Sequence, residues 1–380
     1  MSAIQAKPNS GGPAAGDFPP PEELVYDDGV RARTGSLYER VRDVVPAAEW
    51  PLHAPLVDAI NRLKVERNAI VLAHNYMTPE IFNCVGDATG DSLRLAQLAA
   101  AADQDVIVQA GVHFMAETAS ILAPGKTVLI PDLEAGCSLA ASIDGNDVRR
   151  IRNAYPGYPI VTYVNTSAEV KAEADICCTS SNAVEVVEAI ARQWNTDTVI
   201  MIPDEYLARN VASQTGVRIL TWQGSCEVHE KFTRADIEQL RLEHPDAMII
   251  THPECTPEVL RAADFAGSTG AMASFVAEHQ PAKAILITEC SMSDNVAVAN
   301  PATRFVRPCN LCPYMKRITL TGIYRALREM RHIVEVDVDT ARRARSSLAA
   351  MLALPKPGRP PAFDSTRPAR DAAYVALPGA

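Results

Sequence analysis

Aromatic side chains make up only 6% of the 380 residues, and no run of Lys or Arg forms a basic stripe. Lacking stacking platforms and a phosphate-tracking surface, and carrying a formal charge of −10, the chain is a poor candidate for binding nucleic acid. No stretch of about 18 apolar residues occurs, so no membrane-spanning helix is expected. The opening residues MSAIQAKPNSGGPAAGDFPPPEELV lack the charged and apolar segments of a secretory signal, which predicts a cytoplasmic protein. In a reducing compartment the nine cysteines are not expected to form a disulfide framework. They are divided instead between candidate metal ligands and small buried apolar residues. Small molecules are the expected partners.

What is present is an ordinary globular balance, 47% hydrophobic and 22% charged, over a length that suits two or three domains. Residues 1–25 and 355–380 are rich in Pro, Gly, Ala and Ser or Arg and read as tails, with a lead-in helix completing 1–56 and a strand and helix over 331–354. Between them, short apolar runs such as Ile70-Val71-Leu72, Val106-Ile107-Val108, Val128-Leu129-Ile130, Val199-Ile200-Met201 and Ile285-Leu286-Ile287 alternate with amphipathic helix-length stretches. That alternation predicts α/β architecture with parallel sheets.

The pattern also repeats. Ser92, Ser180 and Ser268, each in a loop opening a helix, are spaced 88 and 88 apart, and Cys137, Cys226 and Cys312, each in a loop after a strand, are spaced 89 and 86 apart. Two landmarks keeping one period of about 90 residues predict three similar α/β units, about 57–143, 144–232 and 233–330. This period is too long for a solenoid repeat.

Ligands of open parallel sheets sit beyond the carboxyl ends of the strands, so three such ends facing one another would enclose a cavity with one Cys loop and one Ser loop from each unit. Three thiolates suit iron–sulfur or zinc ligation, and three on a [4Fe–4S] cluster leave one iron open for Lewis-acid chemistry. The Ser loops, Gly90-Asp91-Ser92, Thr179-Ser180-Ser181-Asn182 and Gly267-Ser268-Thr269-Gly270, combine hydroxyls with free N–H groups at helix starts. Singly each is an ordinary cap; together they suggest an anionic substrate. His74, Tyr76, Tyr163, Asn165, His229, His252 and Glu254 stand where they could bind substrate or move protons. Cys309-Asn310-Leu311-Cys312 could hold half a zinc ribbon or a reversible disulfide, but no second pair follows. Cys84, Cys255 and Cys290 have no repeat partners and are expected to be buried apolar residues, and Cys177-Cys178 cannot easily turn both thiols to one metal.

Taken in order, Val71-Leu72-Ala73-His74-Asn75-Tyr76, Gly90-Asp91-Ser92, the stretch from Gly111 to Thr118, Pro131 to Ser138, Thr179 to Ala183, Trp222 to Cys226, His252-Pro253-Glu254, Gly267-Ser268-Thr269 and Cys312-Pro313-Tyr314-Met315-Lys316 resemble the quinolinate synthase (NadA) family of NAD biosynthesis. The resemblance covers about residues 57–330 and departs from many relatives at Ala110, where Cys is frequent, and in the longer tails. It implies three homologous three-layer α/β/α domains with small parallel sheets around a pseudo-threefold axis. It also implies a [4Fe–4S] cluster on Cys137, Cys226 and Cys312, and condensation of iminoaspartate with dihydroxyacetone phosphate to quinolinate, losing phosphate and two waters. By motif, Tyr76, Tyr163, His229 and Glu254 carry over as catalytic residues, with Glu254 the leading general base. His74, Ser92, Tyr163, Asn165, Ser180, His252, Glu254, Ser268 and Thr269 carry over as substrate-binding residues. L-aspartate oxidase is an implied functional partner. Other readings of the same residues are an aconitase-type open-cluster hydro-lyase, a non-catalytic iron–sulfur carrier or sensor, and a closed zinc protein.

Overall fold

The computed structural model describes residues 18–355 and 374–377. Every strand that pairs within a sheet does so in parallel. The first sheet holds β1 (Ala69–His74), β2 (Ala88–Gly90), β3 (Val106–Ala110) and β4 (Thr127–Leu129) in the order β2-β1-β3-β4. The second holds β5 (Ile160–Tyr163), β6 (Ile176–Cys178), β7 (Thr198–Ile202) and β8 (Arg218–Thr221), and the third β9 (Met248–Thr251), β10 (Phe265–Ala266), β11 (Lys283–Ile287) and β12 (Arg304–Val306). These two sheets follow the same order as the first, β6-β5-β7-β8 and β10-β9-β11-β12. Helices connect the strands, because a parallel pair needs a crossover. The α/β expectation of several small parallel sheets flanked by helices is met.

The two central strands of each sheet are largely buried on both faces, as parallel sheets require. On β5 and β7 of the second sheet the two-residue pleat divides the side chains between two cores. Val161, Val199 and Met201 enter the large central core, while Ile160, Ile200 and Ile202 join Val148, Ile151 and Leu220 beneath an outer helix.

One hydrogen-bonded clasp recurs in every sheet. Asp87 Oδ2 accepts from Val71 N at 2.8 Å, Asp175 Oδ2 from Ile160 N at 2.7 Å, and Asp264 Oδ2 from Ile249 N at 2.8 Å. Each carboxylate also meets a cation from the helix before the first strand: Lys64 at 2.7 Å, Arg152 at 3.1 Å and Arg241 at 3.1 Å. The same cations bond the backbone carbonyls of Val85, Glu173 and Ala262. These helices are Trp50–Glu66, Gly145–Ala154 and Arg234–Glu243, so the first begins before residue 57.

The ends of the chain depart from the tail reading where they are described. Phe18 is buried, Tyr324 Oη donates to Pro19 O at 2.6 Å, and Arg328 Nε donates to Phe18 O at 2.8 Å, so 18–25 includes a segment packed on helix Leu320–Glu329. Residues 1–17 of that predicted tail lie outside the described residues, as do 356–373 and 378–380 of the other. Tyr374–Ala376 forms β13, added in parallel to β8 at the edge of the second sheet. Apolar residues enough for one edge strand were present in Tyr374-Val375-Ala376, but nothing nearby in sequence announces their distant partner. Over 331–354 there is a bridge from Ile333 to Leu129 and the helix Val338–Leu352. No helix among the described residues is long and apolar enough to cross a membrane.

Candidate active site

The clasp register places residues 71, 160 and 249 in equivalent positions. Counting three residues on gives His74, Tyr163 and His252, and two more give Tyr76, Asn165 and Glu254. The six candidates therefore fill the same two slots past the first strand of each sheet. The slots carry different chemistry in each repeat, and all six residues line one cleft.

Glu254 is the hub. Its carboxylate accepts a hydrogen bond from Tyr163 Oη. His229 Nδ1 lies 2.8 Å from Oε2, within ion-pair distance but with its N–H poorly aimed, and His252 Nδ1 lies 3.9 Å away. The His229 and His252 rings stack with centroids 4.6 Å apart, and Ser180 Oγ reaches His252 Nε2 at 3.3 Å. Burial opposes ionisation of Glu254, yet His252, His229 and the Tyr163 hydrogen bond outweigh it and hold the carboxyl below its usual range. Burial pushes His74 down to about 4 and His252 to about 3, so both imidazoles are neutral near pH 7. Burial likewise keeps both tyrosines protonated, well above their ordinary value. The side chains supply a buried anion, neutral imidazoles and two protonated phenols within one cleft. Asn165 Oδ1 is buried there without a partner, an acceptor free for a ligand.

The Ser loops are less uniform than the spacing predicts. Asp91, not Ser92, caps helix Ser92–Ala100, and Asn182 precedes Ala183–Trp194 without a side-chain cap bond. Ser268 does cap Thr269–His279, but its hydroxyl is turned to Ala271 N and Asp91, and it does not line the cleft. Ser92, Ser180 and Thr269 do line it. Asp91 Oδ2 accepts from Ser181 at 2.7 Å and lies 3.4 Å from Ser268 Oγ, so one carboxylate ties the three loops together.

Cys137, Cys226 and Cys312 are free, half-buried and line the same cleft. Their loops are stapled together. Ser138 Oγ donates to Ser225 O at 3.1 Å and accepts from Glu227 N at 3.2 Å, while Gly136 sits against the Tyr314 ring. Gly224 packs so tightly on Ser142 and Pro203 that a Cβ there would lie 2.6 Å from Ser142 Oγ. Burial pushes Cys137 up to about 12 and raises Cys226 and Cys312, so these thiols ionise only when a cation replaces the proton. Among the described residues, the three-residue group whose donor atoms all lie within 4.8 Å is Cys226, His229 and Glu254, not the three cysteines. Three thiols that share a cleft without closing on a single ion fit a cluster that gives each sulfur its own iron.

The other cysteines hold one surprise. Cys290 is not a lone buried thiol but is disulfide-bonded to Cys309, which leaves Cys312 free rather than paired with Cys309. The parallel bridge between Glu289 and Asn310 brings these distant segments side by side, a contact no spacing rule reveals. Cys84, Cys177, Cys178 and Cys255 are buried free thiols.

Two participants escaped the sequence reading. Thr288, one residue past β11, bonds Tyr76 Oη at 2.6 Å and His229 Nε2 at 2.9 Å. Lys316 donates to Tyr76 O at 2.9 Å and Ser291 Oγ at 2.6 Å and pairs with buried Glu289 at 2.8 Å. Strand-end position was the available signal for Thr288, as was the Cys-Pro-Tyr-Met-Lys stretch for Lys316.

The chain is similar to known proteins over most of its length. The family described as "Quinolinate synthetase A protein" matches residues 58–353. A quinolinate synthase of Caulobacter vibrioides (strain NA1000 / CB15N) is 57% identical over 340 residues, covering 90% of this chain and 93% of its own. Quinolinate synthase 1 of Mesorhizobium japonicum is 60% identical over 319 residues, covering 84% and 97%. A quinolinate synthase of Xylella fastidiosa is 60% identical over 298 residues, covering 78% and 87%. The chain belongs to the quinolinate synthase family, enzymes of NAD biosynthesis.

Proposed function

We propose that the chain condenses iminoaspartate with dihydroxyacetone phosphate, releasing phosphate and two waters and forming quinolinate, with a [4Fe–4S] cluster on Cys137, Cys226 and Cys312. The observation that carries this reading is the convergence of three free thiols with Tyr76, Tyr163, His229 and Glu254 on one cleft. Three cysteine ligands leave one iron of such a cluster open, and that iron supplies Lewis-acid polarisation of a substrate oxygen or nitrogen.

The chain's own groups supply the rest. Glu254, held as an anion beside His229, takes protons from substrate carbon or nitrogen. Tyr163 keeps Glu254 oriented and offers its phenol to the intermediate, with Tyr76 on another wall. Asn165, Ser92, Ser180 and Thr269 bind carboxylate and phosphate oxygens, with neutral His74 and His252 as further hydrogen-bonding groups. Ser268 acts one step behind, fixing the loop that presents Thr269. The three sheets form the cores of three homologous domains around a pseudo-threefold axis, about 57–143, 144–232 and 233–330. The clasp supports an earlier start for the first, at the helix Trp50–Glu66. The cytoplasm is the proposed compartment, and functional coupling to L-aspartate oxidase follows from the instability of an imine in water.

Anaerobic purification with iron and sulfide analysis, followed by assay of quinolinate and phosphate with both substrates present, tests the proposal. Equal yields of the two products, dependent on iron content, are expected. Phosphate release without quinolinate, or turnover by iron-free protein, rejects it.

A further inference from the structure

The third strands of the sheets end in equivalent positions. Strand pairing aligns Val71 with Val108, Ile160 with Ile200, and Ile249 with Ile285. Three residues further on stand Gly111, Pro203 and Thr288. Two repeats have no polar side chain in this slot, and the third has a fully buried hydroxyl. Burying a hydroxyl is costly unless it is hydrogen-bonded, and Thr288 is bonded to two residues that face the cleft, Tyr76 at 2.6 Å and His229 at 2.9 Å.

The proton positions follow from the partners. An anionic oxygen 2.8 Å from His229 Nδ1 places the hydrogen on Nδ1, whose positive end then lies beside the carboxylate although the N–H is not aimed straight at it. His229 Nε2 is then an acceptor. Thr288, at 2.9 Å, is closer to it than Tyr76 Oη, at 3.4 Å, and donates to it. The Thr288 oxygen accepts from the Tyr76 hydroxyl in turn. Tyr76 has one hydrogen, and Thr288 takes it, so the phenol oxygen meets the cleft with its lone pairs.

We propose that Thr288 is a positioning residue: its hydroxyl fixes the ring of His229 and commits Tyr76 to act on substrate as a hydrogen-bond acceptor. The proposal rests on Tyr76 touching substrate, as proposed above. Without the hydroxyl, Tyr76 is released to donate either to His229 or into the cleft, and a substrate N–H or O–H loses its acceptor. Lys316, which holds the Tyr76 carbonyl, fixes the backbone but not this polarity.

Thr288→Val keeps the branched shape and removes the hydroxyl; Thr288→Ser keeps the hydroxyl. Both are compared anaerobically with the iron-loaded parent for kcat, KM for each substrate, iron content, and calorimetric affinity for quinolinate. In the valine variant a fall of about ten- to a hundred-fold in kcat/KM, with weaker quinolinate binding and unchanged iron content, is expected. The serine variant is expected to recover to within about threefold. Activity of the valine variant within twofold of the parent, serine as impaired as valine, or loss of iron in the valine variant overturns the proposal. Tyr76→Phe separates the two levels of argument. Full activity in that variant removes Tyr76 from the substrate site, whereas a large loss there with no effect of Thr288→Val rejects only the role of Thr288.

Discussion

The beginnings of the strands and their ends have diverged to different degrees. At the beginnings, each sheet keeps the same clasp of an aspartate, a backbone N–H and a Lys or Arg. At the ends, the equivalent slots hold His74 and Tyr76, Tyr163 and Asn165, and His252 and Glu254. The clasp satisfies a backbone donor that exists in every repeat, so the same residues serve three times. The cleft surrounds one ligand set asymmetrically, and three copies of one side chain could not supply an anion, neutral imidazoles and phenols together.

Breaking the cleft should cost most. Cys312→Ser is expected to abolish the cluster and quinolinate formation, while Cys309→Ser, which removes only the bond to Cys290, keeps a substantial part of both. Iron and sulfide per chain, measured anaerobically with reductant, check this; equal iron loss in both variants rejects the three-ligand assignment. Glu254→Gln should retain iron but lose about a hundred- to ten-thousand-fold in kcat, since the amide cannot accept the proton. Normal turnover by this variant takes Glu254 out of the mechanism.

Changes away from the strand ends should alter stability and leave catalysis intact. Phe18→Ala removes a buried ring packed under Arg62 and is expected to cost about 1.5–3 kcal/mol in denaturant unfolding, with KM unchanged. No loss would restore the tail reading for this segment. Asp175→Ala strips the acceptor from Ile160 N and should cost about 1 kcal/mol, the low end for a lost partner because the side chain is 22% exposed and water can enter. A large drop in kcat without a stability change would show that the clasps also shape the cleft.

The α/β class, the period near 90 and the three unpaired thiols were all legible in the chain. Strand burial, crossover length and loop position are local properties that a repeat writes out three times. The two slots at 74/163/252 and 76/165/254 were also spelled out at a constant spacing, though the clasp made the alignment evident. Ser268 Oγ turns to its own helix and to Asp91 where the spacing suggested a cleft-facing hydroxyl, since a helix cap and a ligand-facing hydroxyl have the same sequence signature and differ only in which way the side chain turns.

By itself the sequence determined which residues end strands, which begin helices and which repeat, because backbone propensity and side-chain periodicity act over a few neighbours. Tertiary structure alone decided the pairing of Cys290 with Cys309, the seat of Phe18 on helix Leu320–Glu329, the addition of β13 to β8, and the meeting of Thr288 with Tyr76 across 212 residues. Those contacts depend on how separate sheets and loops are brought face to face by burying their apolar surfaces, and that arrangement leaves no periodic trace in the chain.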